Sequence, residues 1–167
     1  PIRKLLEDWM VLTAGELHPD VGWYNKMTVA GGVVGGMWNR PTAIAPVRPT
    51  RYTYDFMERY DTWTLSAFPE RYREDLRMLG TRSGRDGDKI AASALTPVPA
   101  TAVAAPTFAE AVLTIECRTI YYNDIAPKRM VDGTLDEHYD HDYHRMYYGE
   151  IAAVVVADAG DGAGRRD

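Results

Sequence analysis

The sequence predicts a mainly β protein with peripheral helices, in which the strands form an antiparallel barrel. At least five segments show the alternation or the continuous apolar run of a strand, whereas only three short segments show helical spacing. Turns separate most of the strands, and the long crossover connections of a parallel sheet are missing. The strands are expected at residues 23–30, 42–47, 62–68, 111–122 and 145–157.

The expected strands differ in their burial. Polar and apolar side chains alternate in the first, 23–30, which indicates one buried face. The second, 42–47, is apolar on both faces and is expected inside the sheet.

Residues 1–20 are of mixed character with no expected strand, and the glycines at 31–36 indicate a loop. Gly149 in the last strand indicates a bulge or a close approach.

Three short helices are expected beside the sheet. The first, 53–60, begins with a threonine as its candidate N-cap. The second, 69–79, begins with a proline and has Gly80 as its C-cap. The third, 86–94, is weakened by an internal glycine. The polar and acidic segment 123–143 is expected to be an excursion over the surface.

Length and composition indicate a single folded unit. With 167 residues, 46% hydrophobic and 26% charged, the chain is large enough to bury a core. We expect one domain over residues 1–157 and a disordered tail of small and charged residues at 158–167.

Charge and cysteine content narrow the class of partner. The net charge of −5 argues against nucleic acid, which requires a cationic surface. No apolar run is long enough to span a membrane, and charges near the N-terminus argue against a signal peptide. The single cysteine, Cys117, excludes an intrachain disulfide and favours a reducing, cytoplasmic setting.

Two loops rich in small residues have the chemistry of an anion site. One links a buried strand to a helix start, where free N–H groups and arginines suit phosphate. The other, GTRSGRDGDK, repeats hydroxyls, glycines and cations about thirty residues later. Each loop alone is also consistent with a flexible connection or with surface salt bridges, but together they favour one phosphorylated ligand. No dinucleotide G-x-G-x-x-G motif and no P-loop is present. The residues concerned are Arg48, Arg51, Thr53, Ser83 and Lys89.

Three histidines raise the alternative of a metal site. His138, His141 and His144 recur every third residue among acidic side chains. Geometry argues against one metal ion bound by all three. On a helix the third histidine lies about 240° from the first, and on a strand successive histidines of this spacing point to opposite faces. Solvated loop histidines are the preferred interpretation, but His144 adjoins the last strand and can point inward.

Five stretches of the sequence resemble one known family. They read NKMTVAGGVVGGMWNRPTAIAPVRPTRYTYDF, TWTLSAF, GTRSGRDGDKI, FAEAVLTIECRTIYYNDI and DYHRMYYGEI. In this order they resemble the flavin reductase-like, FMN-binding split-barrel proteins. The likeness is strongest to the flavoredoxin-like branch, which has R-P-x-R-Y-T and G-T-x-S-G-R-D-x-D-K.

The resemblance implies a six-stranded antiparallel split barrel that forms a homodimer with FMN at or near the subunit interface. It implies that NAD(P)H passes hydride to N5 of FMN, and that reduced flavin serves a partner oxygenase or another electron acceptor. By analogy, the flavin ring would lie along Asn25, Met27, Thr28, Val29 and Ala30. The ribityl phosphate would be held by Arg48, Arg51, Thr53, Ser83 and Lys89, and His144 would lie near the cofactor.

Three functions stay open on the sequence. An NAD(P)H-dependent flavin reductase is favoured; it needs no bound metal and no catalytic side chain beyond a possible role for His144. The alternatives are a non-catalytic FMN-binding electron-transfer protein and a metal-binding barrel that uses the three histidines.

Overall fold

The computed structural model describes residues 9–17, 23–87 and 91–157. The strands are β1 (Met10–Glu16), β2 (Trp23–Val29), β3 (Val33–Met37), β4 (Arg40–Val47), β5 (Thr62–Ala67), β6 (Pro97–Val98), β7 (Thr107–Phe108), β8 (Leu113–Asp124) and β9 (Arg145–Val156). The α-helices are α1 (Tyr52–Arg59) and α2 (Arg73–Thr81). Seven strands form one antiparallel sheet in the order β2-β1-β5-β8-β9-β4-β3, and β6 pairs with β7 separately.

This sheet confirms the mainly β class with a few helices and corrects the expected six-stranded barrel. It has seven strands, and within the described residues the edge strands β2 and β3 do not pair with each other, so the sheet is open. All five expected strands are present, with ends within two residues of the expected positions.

Two strands of the sheet lie where the sequence indicates none. β1 lies between β2 and β5 and is buried at every position except Glu16. Because both of its faces are covered, it lacks the alternation that reveals a strand. β3 contains Gly35 and Gly36, two of the four glycines expected in a loop, and is exposed throughout. Trp38 and Asn39 have φ values of 51° and 59°, which form a tight turn from β3 to β4.

Two apolar clusters cover opposite faces of β1. Leu12 belongs to a cluster with Trp63 and Met57 of α1, whereas its neighbour Val11 belongs to a cluster with Leu76 and Leu79 of α2. Successive side chains of a strand point to opposite faces, so the two helices lie on different sides of the sheet. Both helices also contact β2, which places this edge strand between them.

The helix ends differ from those expected. Arg51 occupies the N-cap position of α1, and Thr53 lies inside the helix with its hydroxyl turned to β2. Gly80 lies inside α2, where an added Cβ would be 3.2 Å from Cβ of Thr28. In place of the third helix, the described residues form a 3₁₀ turn at Gly84–Asp86 and a turn at 91–94. Residues 88–90, Lys89 among them, lie outside the described residues.

Two other expectations are confirmed. The segment 123–143 is a surface excursion that contains two 3₁₀ turns without buried residues. Gly149 is a close approach, because a Cβ there would lie 2.5 Å from Cζ2 of buried Trp63. The predicted tail, 158–167, lies outside the described residues. No helix in the described part of the chain is long and apolar enough to cross a membrane.

Candidate functional site

A small cavity of about 90 Å³ lies where the start of α1, the end of α2 and β2 meet. Residues 50–53 form one of its walls and residues 79–84 form another. Asn25 and Met27 of β2 complete the lining. The two loops that the sequence suggests for phosphate therefore meet at one cavity.

A larger cavity of about 270 Å³ adjoins the small one along β2. It is lined by residues 27–31 together with Pro46, Arg48, Arg51 and His144. Met27 and Arg51 line both cavities, so the two cavities are adjacent. In the described sheet β2 pairs only with β1, which leaves the other backbone edge of β2 open to a ligand.

The first turn of α1 gives the small cavity a positive potential. The amide of Arg51 donates to the carbonyl of Arg48 at 3.0 Å, which forms the turn that leads from β4 into α1. No side chain caps this helix start. The amide of Tyr54 donates to the carbonyl of Arg51 at 2.9 Å, so the amides of Tyr52 and Thr53 are the ones left without an intrahelical acceptor, and the helix dipole adds to their attraction for an anion.

The two arginines predicted to bind phosphate differ in the hydrogen-bond and ion-pair partners that they have within the protein. Arg48 donates to the carbonyl of His138 at 2.8 Å and lies 4.0 Å from the carboxylate of Asp142. Arg51 donates only to the carbonyl of Gly80, at 3.5 Å, and has no carboxylate partner among the residues that the structure describes. Most of the hydrogen-bonding capacity of its guanidinium is therefore left for a ligand, and Arg82 adds a second arginine to the lining of the small cavity.

A buried polar pair fixes β2 against α1. The side-chain amide of Asn25 donates to the hydroxyl of Thr53 at 2.8 Å, and both residues are buried. Gly84 packs against this pair so tightly that an added Cβ would overlap the side-chain oxygen of Asn25. This close contact of Gly84 with Asn25 fixes the distance between β2 and the cavity wall formed by residues 79–84.

His144 lies in the larger cavity and is half-buried. Its Nδ1 is 3.3 Å from the hydroxyl of Tyr139, whose ring is nearly perpendicular to the imidazole. Burial lowers the pKa of His144 below its ordinary value, and the nearby charges of Arg48 and Arg51 lower it further against the opposing effect of Asp142. The neutral imidazole is therefore favoured near pH 7.

The structure brings together every predicted cofactor residue that it describes. The small cavity is lined by Asn25, Met27, Arg51, Thr53 and Ser83, and the larger one by Met27, Thr28, Val29, Ala30, Arg48 and Arg51. Asn25 lies at the small cavity and Arg48 at the larger one. Lys89 lies outside the described residues.

The histidine cluster is separated in the structure. His144 faces the larger cavity, whereas His138 and His141 are exposed on the surface excursion. Among the described residues, no group of three His, Cys, Asp or Glu side chains is placed to hold a metal ion.

The sequence does not predict the contacts between the surface excursion, 123–143, and this site. The hydroxyl of Thr50 donates to Asp142 at 2.6 Å, across 92 positions of sequence. The ring of Tyr139 lies 5.4 Å from the Arg48 guanidinium. No local pattern marks such pairs, because the fold alone brings these segments together.

Comparison with known proteins gives one family match. A sequence profile described as "Flavin reductase like domain" matches residues 11–165. No curated protein matches the sequence.

Solved structures with this fold cover most of the chain. Flavoredoxin of Desulfovibrio vulgaris (Miyazaki F) is 23% identical, with a TM-score of 0.68 over 90% of this chain and 69% of that chain. FMN-binding protein from Thermus thermophilus, with bound p-hydroxybenzaldehyde, is 16% identical, with a TM-score of 0.70 over 93% and 74%. The NADH:FAD oxidoreductase SgcE6 of Streptomyces globisporus C-1027 is 15% identical, with a TM-score of 0.67 over 90% and 75%. At these identities the likeness shows the fold.

Proposed function

The chain belongs to the flavin reductase-like family, and from this we propose that it is an oxidoreductase that binds FMN and accepts hydride from NAD(P)H. The observation that carries the proposal is the pair of adjacent cavities beside β2, of which the small one is cationic and the larger one is partly apolar. Such a shape matches a ligand with a phosphate at one end and a flat ring at the other.

The small cavity has the donors that a phosphate requires. Arg51 supplies positive charge, and the uncapped start of α1 supplies backbone N–H groups. Ser83 accepts a hydrogen bond from the amide of Arg85 at 3.2 Å, so its own hydroxyl proton is available to a ligand. These three groups come from both walls of the cavity.

The larger cavity has the surface that a flavin ring requires. Met27, Val29 and Pro46 give it apolar contact area, and the open edge of β2 offers backbone hydrogen bonds to polar ring atoms. When bound, flavin supplies the hydride-accepting atom N5, and the protein supplies position and charge. Arg48 and Arg51 place positive charge beside this cavity, which favours an anionic ligand.

His144 is proposed as a neutral hydrogen-bonding group near the ligand. Its Nδ1 faces the hydroxyl of Tyr139, so Nε2 is the nitrogen left for a ligand or water. The proposed reaction needs no acid–base pair, so His144 orients rather than transfers a proton.

We also propose that the protein functions as a homodimer. Trp38, Tyr121 and Tyr148 form an aromatic cluster, with ring centroids 5.2 to 6.0 Å apart, on an exposed surface beside β3. Val33 of β3 is 53% exposed, and Trp38 is 56% exposed. Contiguous exposed aromatic and aliphatic side chains are typical of interfaces, and a second copy would cover them. Sedimentation should give twice the monomer mass; the monomer mass would contradict this part of the proposal.

The experiment that tests the function is an anaerobic titration of the FMN-loaded protein. Addition of NADH or NADPH should bleach the flavin absorbance near 450 nm, as dithionite does. Bleaching by dithionite alone would remove the reductase and favour the FMN-binding electron-transfer protein, which takes its electrons from another protein. Failure to bind any flavin would reject both. The electron acceptor, a partner oxygenase or another protein, is then found by adding candidates to the reduced protein.

A further inference from the structure

We propose that Tyr139 is a positioning residue of the site: its hydroxyl sets which nitrogen of His144 carries the ring proton, and its ring holds Arg48 beside the larger cavity. The inference rests on the proposed function and deepens it, because it gives the surface excursion, 123–143, a part in that site. Tyr139 lines neither cavity, so it acts through the two lining side chains that it contacts.

Tyr139 contacts an imidazole and a guanidinium at the same time. Its hydroxyl oxygen lies 3.3 Å from Nδ1 of His144, at the long end of the hydrogen-bond range, and the two rings meet edge to face with centroids 5.4 Å apart. The Arg48 guanidinium lies over the tyrosine ring, 5.4 Å from its centre, where the negative face of the ring attracts a cation. Both partners line the larger cavity.

The hydroxyl of Tyr139 selects one tautomer of the imidazole. A neutral imidazole has one N–H and one bare nitrogen, and the hydrogen bond at one nitrogen decides the state of the other. A phenol O–H is a stronger donor than a neutral imidazole N–H, so the hydroxyl donates to a bare Nδ1 of His144. The ring proton is then on Nε2, and His144 offers a donor to the carbonyl oxygens and ring nitrogens of a flavin.

A tight turn at the end of the excursion places Tyr139. Asp140 and His141 have φ values of 45° and 63°, in the left-handed region that residues other than glycine rarely adopt. The amide of Asp142 donates to the carbonyl of Tyr139 at 2.8 Å and closes this turn. Such backbone persists where the surrounding contacts hold it, so the contacts on either side of the turn matter to its shape.

Those contacts fasten the turn to the site. The hydroxyl of Thr50, which lines the small cavity, donates to Oδ2 of Asp142 at 2.6 Å. Arg48 donates to the carbonyl of His138 at 2.8 Å and lies 4.0 Å from the same Asp142 carboxylate. The excursion therefore surrounds the Arg48 guanidinium with a carbonyl, a carboxylate and the Tyr139 ring, and it keeps this charge beside the larger cavity.

Two substitutions separate the two contacts. Tyr139→Phe keeps the ring over Arg48 and removes only the hydroxyl, whereas Tyr139→Leu removes both. The matched control is Tyr143→Phe, which removes a hydroxyl from the same excursion. The hydroxyl of Tyr143 donates to Asp136 at 2.6 Å, and Tyr143 lines neither cavity.

The first measurement is the tautomer of His144 in flavin-free protein that carries ¹⁵N-labelled histidine, by NMR at pH 8, with His144→Gln to assign the signals. The wild type and Tyr143→Phe should show a bare Nδ1 and a protonated Nε2. Tyr139→Phe should show a mixture of the two tautomers, which a merely structural role of the tyrosine would not produce. A protonated Nδ1 in the wild type, or an unchanged tautomer in Tyr139→Phe, would overturn the inference, whatever the protein binds.

The second measurement is the dissociation constant of each flavin, from quenching of its fluorescence. Tyr139→Phe should weaken FMN and riboflavin alike, by about threefold, because the lost hydrogen bond concerns the flavin ring and not the phosphate. Tyr139→Leu should weaken FMN by about tenfold in total, because Arg48 also loses its ring contact. Affinities that stay at the wild-type values in both variants would overturn the inference while the proposed function stands. A wild type that binds no flavin would instead reject the function. If Tyr139→Leu does not fold by circular dichroism, Tyr139→Phe, which lacks a single oxygen, still decides.

Discussion

Replacing Arg51 with alanine should weaken FMN far more than riboflavin. Arg51 lines both cavities and, among the described residues, has only a 3.5 Å hydrogen bond to Gly80 to satisfy its guanidinium. A hydrogen bond between charged groups contributes about 1.5–3 kcal/mol, and the lower end applies because the side chain is exposed to solvent. FMN affinity should therefore fall about tenfold. Riboflavin has no phosphate, so its affinity should change little.

Quenching of flavin fluorescence on titration with protein measures both dissociation constants. Low salt is preferred, because ionic strength screens the exposed charge. Arg118→Ala serves as the control for loss of an exposed arginine, and neither ligand should respond to it. If Arg51→Ala weakens FMN and riboflavin equally, the phosphate does not lie beside Arg51, and the orientation of the ligand is wrong.

Three further predictions address the core and the site. Gly149→Ala should lower the free energy of unfolding by about 1–3 kcal/mol in denaturant titrations, because the new Cβ meets Trp63; unchanged stability would contradict the close approach. Cys117 should resist an aromatic disulfide reagent at pH 8 until the protein unfolds, since burial raises the pKa of its thiol to about 12; rapid labelling of the folded protein would show the packing to be wrong. The ring protons of His144 should titrate by NMR with a midpoint below 6.5, because burial and the charge of Arg48 lower the pKa of the imidazole; a midpoint above 6.5 would refute the assignment. The folded protein should therefore lose stability as the pH falls from 6.5 toward that midpoint, and the His144→Gln variant should lose less over the same range.

The candidate site follows largely from sequence because its residues occur in short continuous motifs. The stretch from Arg48 to Thr53 brings two arginines and a helix start into one turn, so their proximity needs no tertiary information. The strand 23–29 is found because polar and apolar side chains alternate over residues 26–29, but the expected single buried face is wrong: Asn25 and Lys26 are adjacent and both buried. The match between the predicted residues and the two cavities therefore rests on local geometry.

The remaining features depend on contacts between distant segments. β1 is buried on both faces, so no alternation marks it. Thr53 is not the N-cap: Arg51 occupies that position, and the hydroxyl oxygen of Thr53 accepts a hydrogen bond from the side-chain amide of Asn25, 28 positions earlier. The hydrogen bonds from Arg85 to Thr50 and Asp55 span 35 and 30 positions, and nothing in the local sequence distinguishes Arg85 from a solvated arginine.

The most direct test of the central claim is a map of backbone amide shifts in labelled protein as FMN is added. The account predicts the largest changes at residues 27–31, 50–53 and 80–84, and predicts that riboflavin reproduces only those at 27–31. A third cavity of about 300 Å³, lined by residues 57–61 with Tyr122 and Tyr147, provides the contrast. Changes concentrated there, with the first three segments unmoved, would contradict the account.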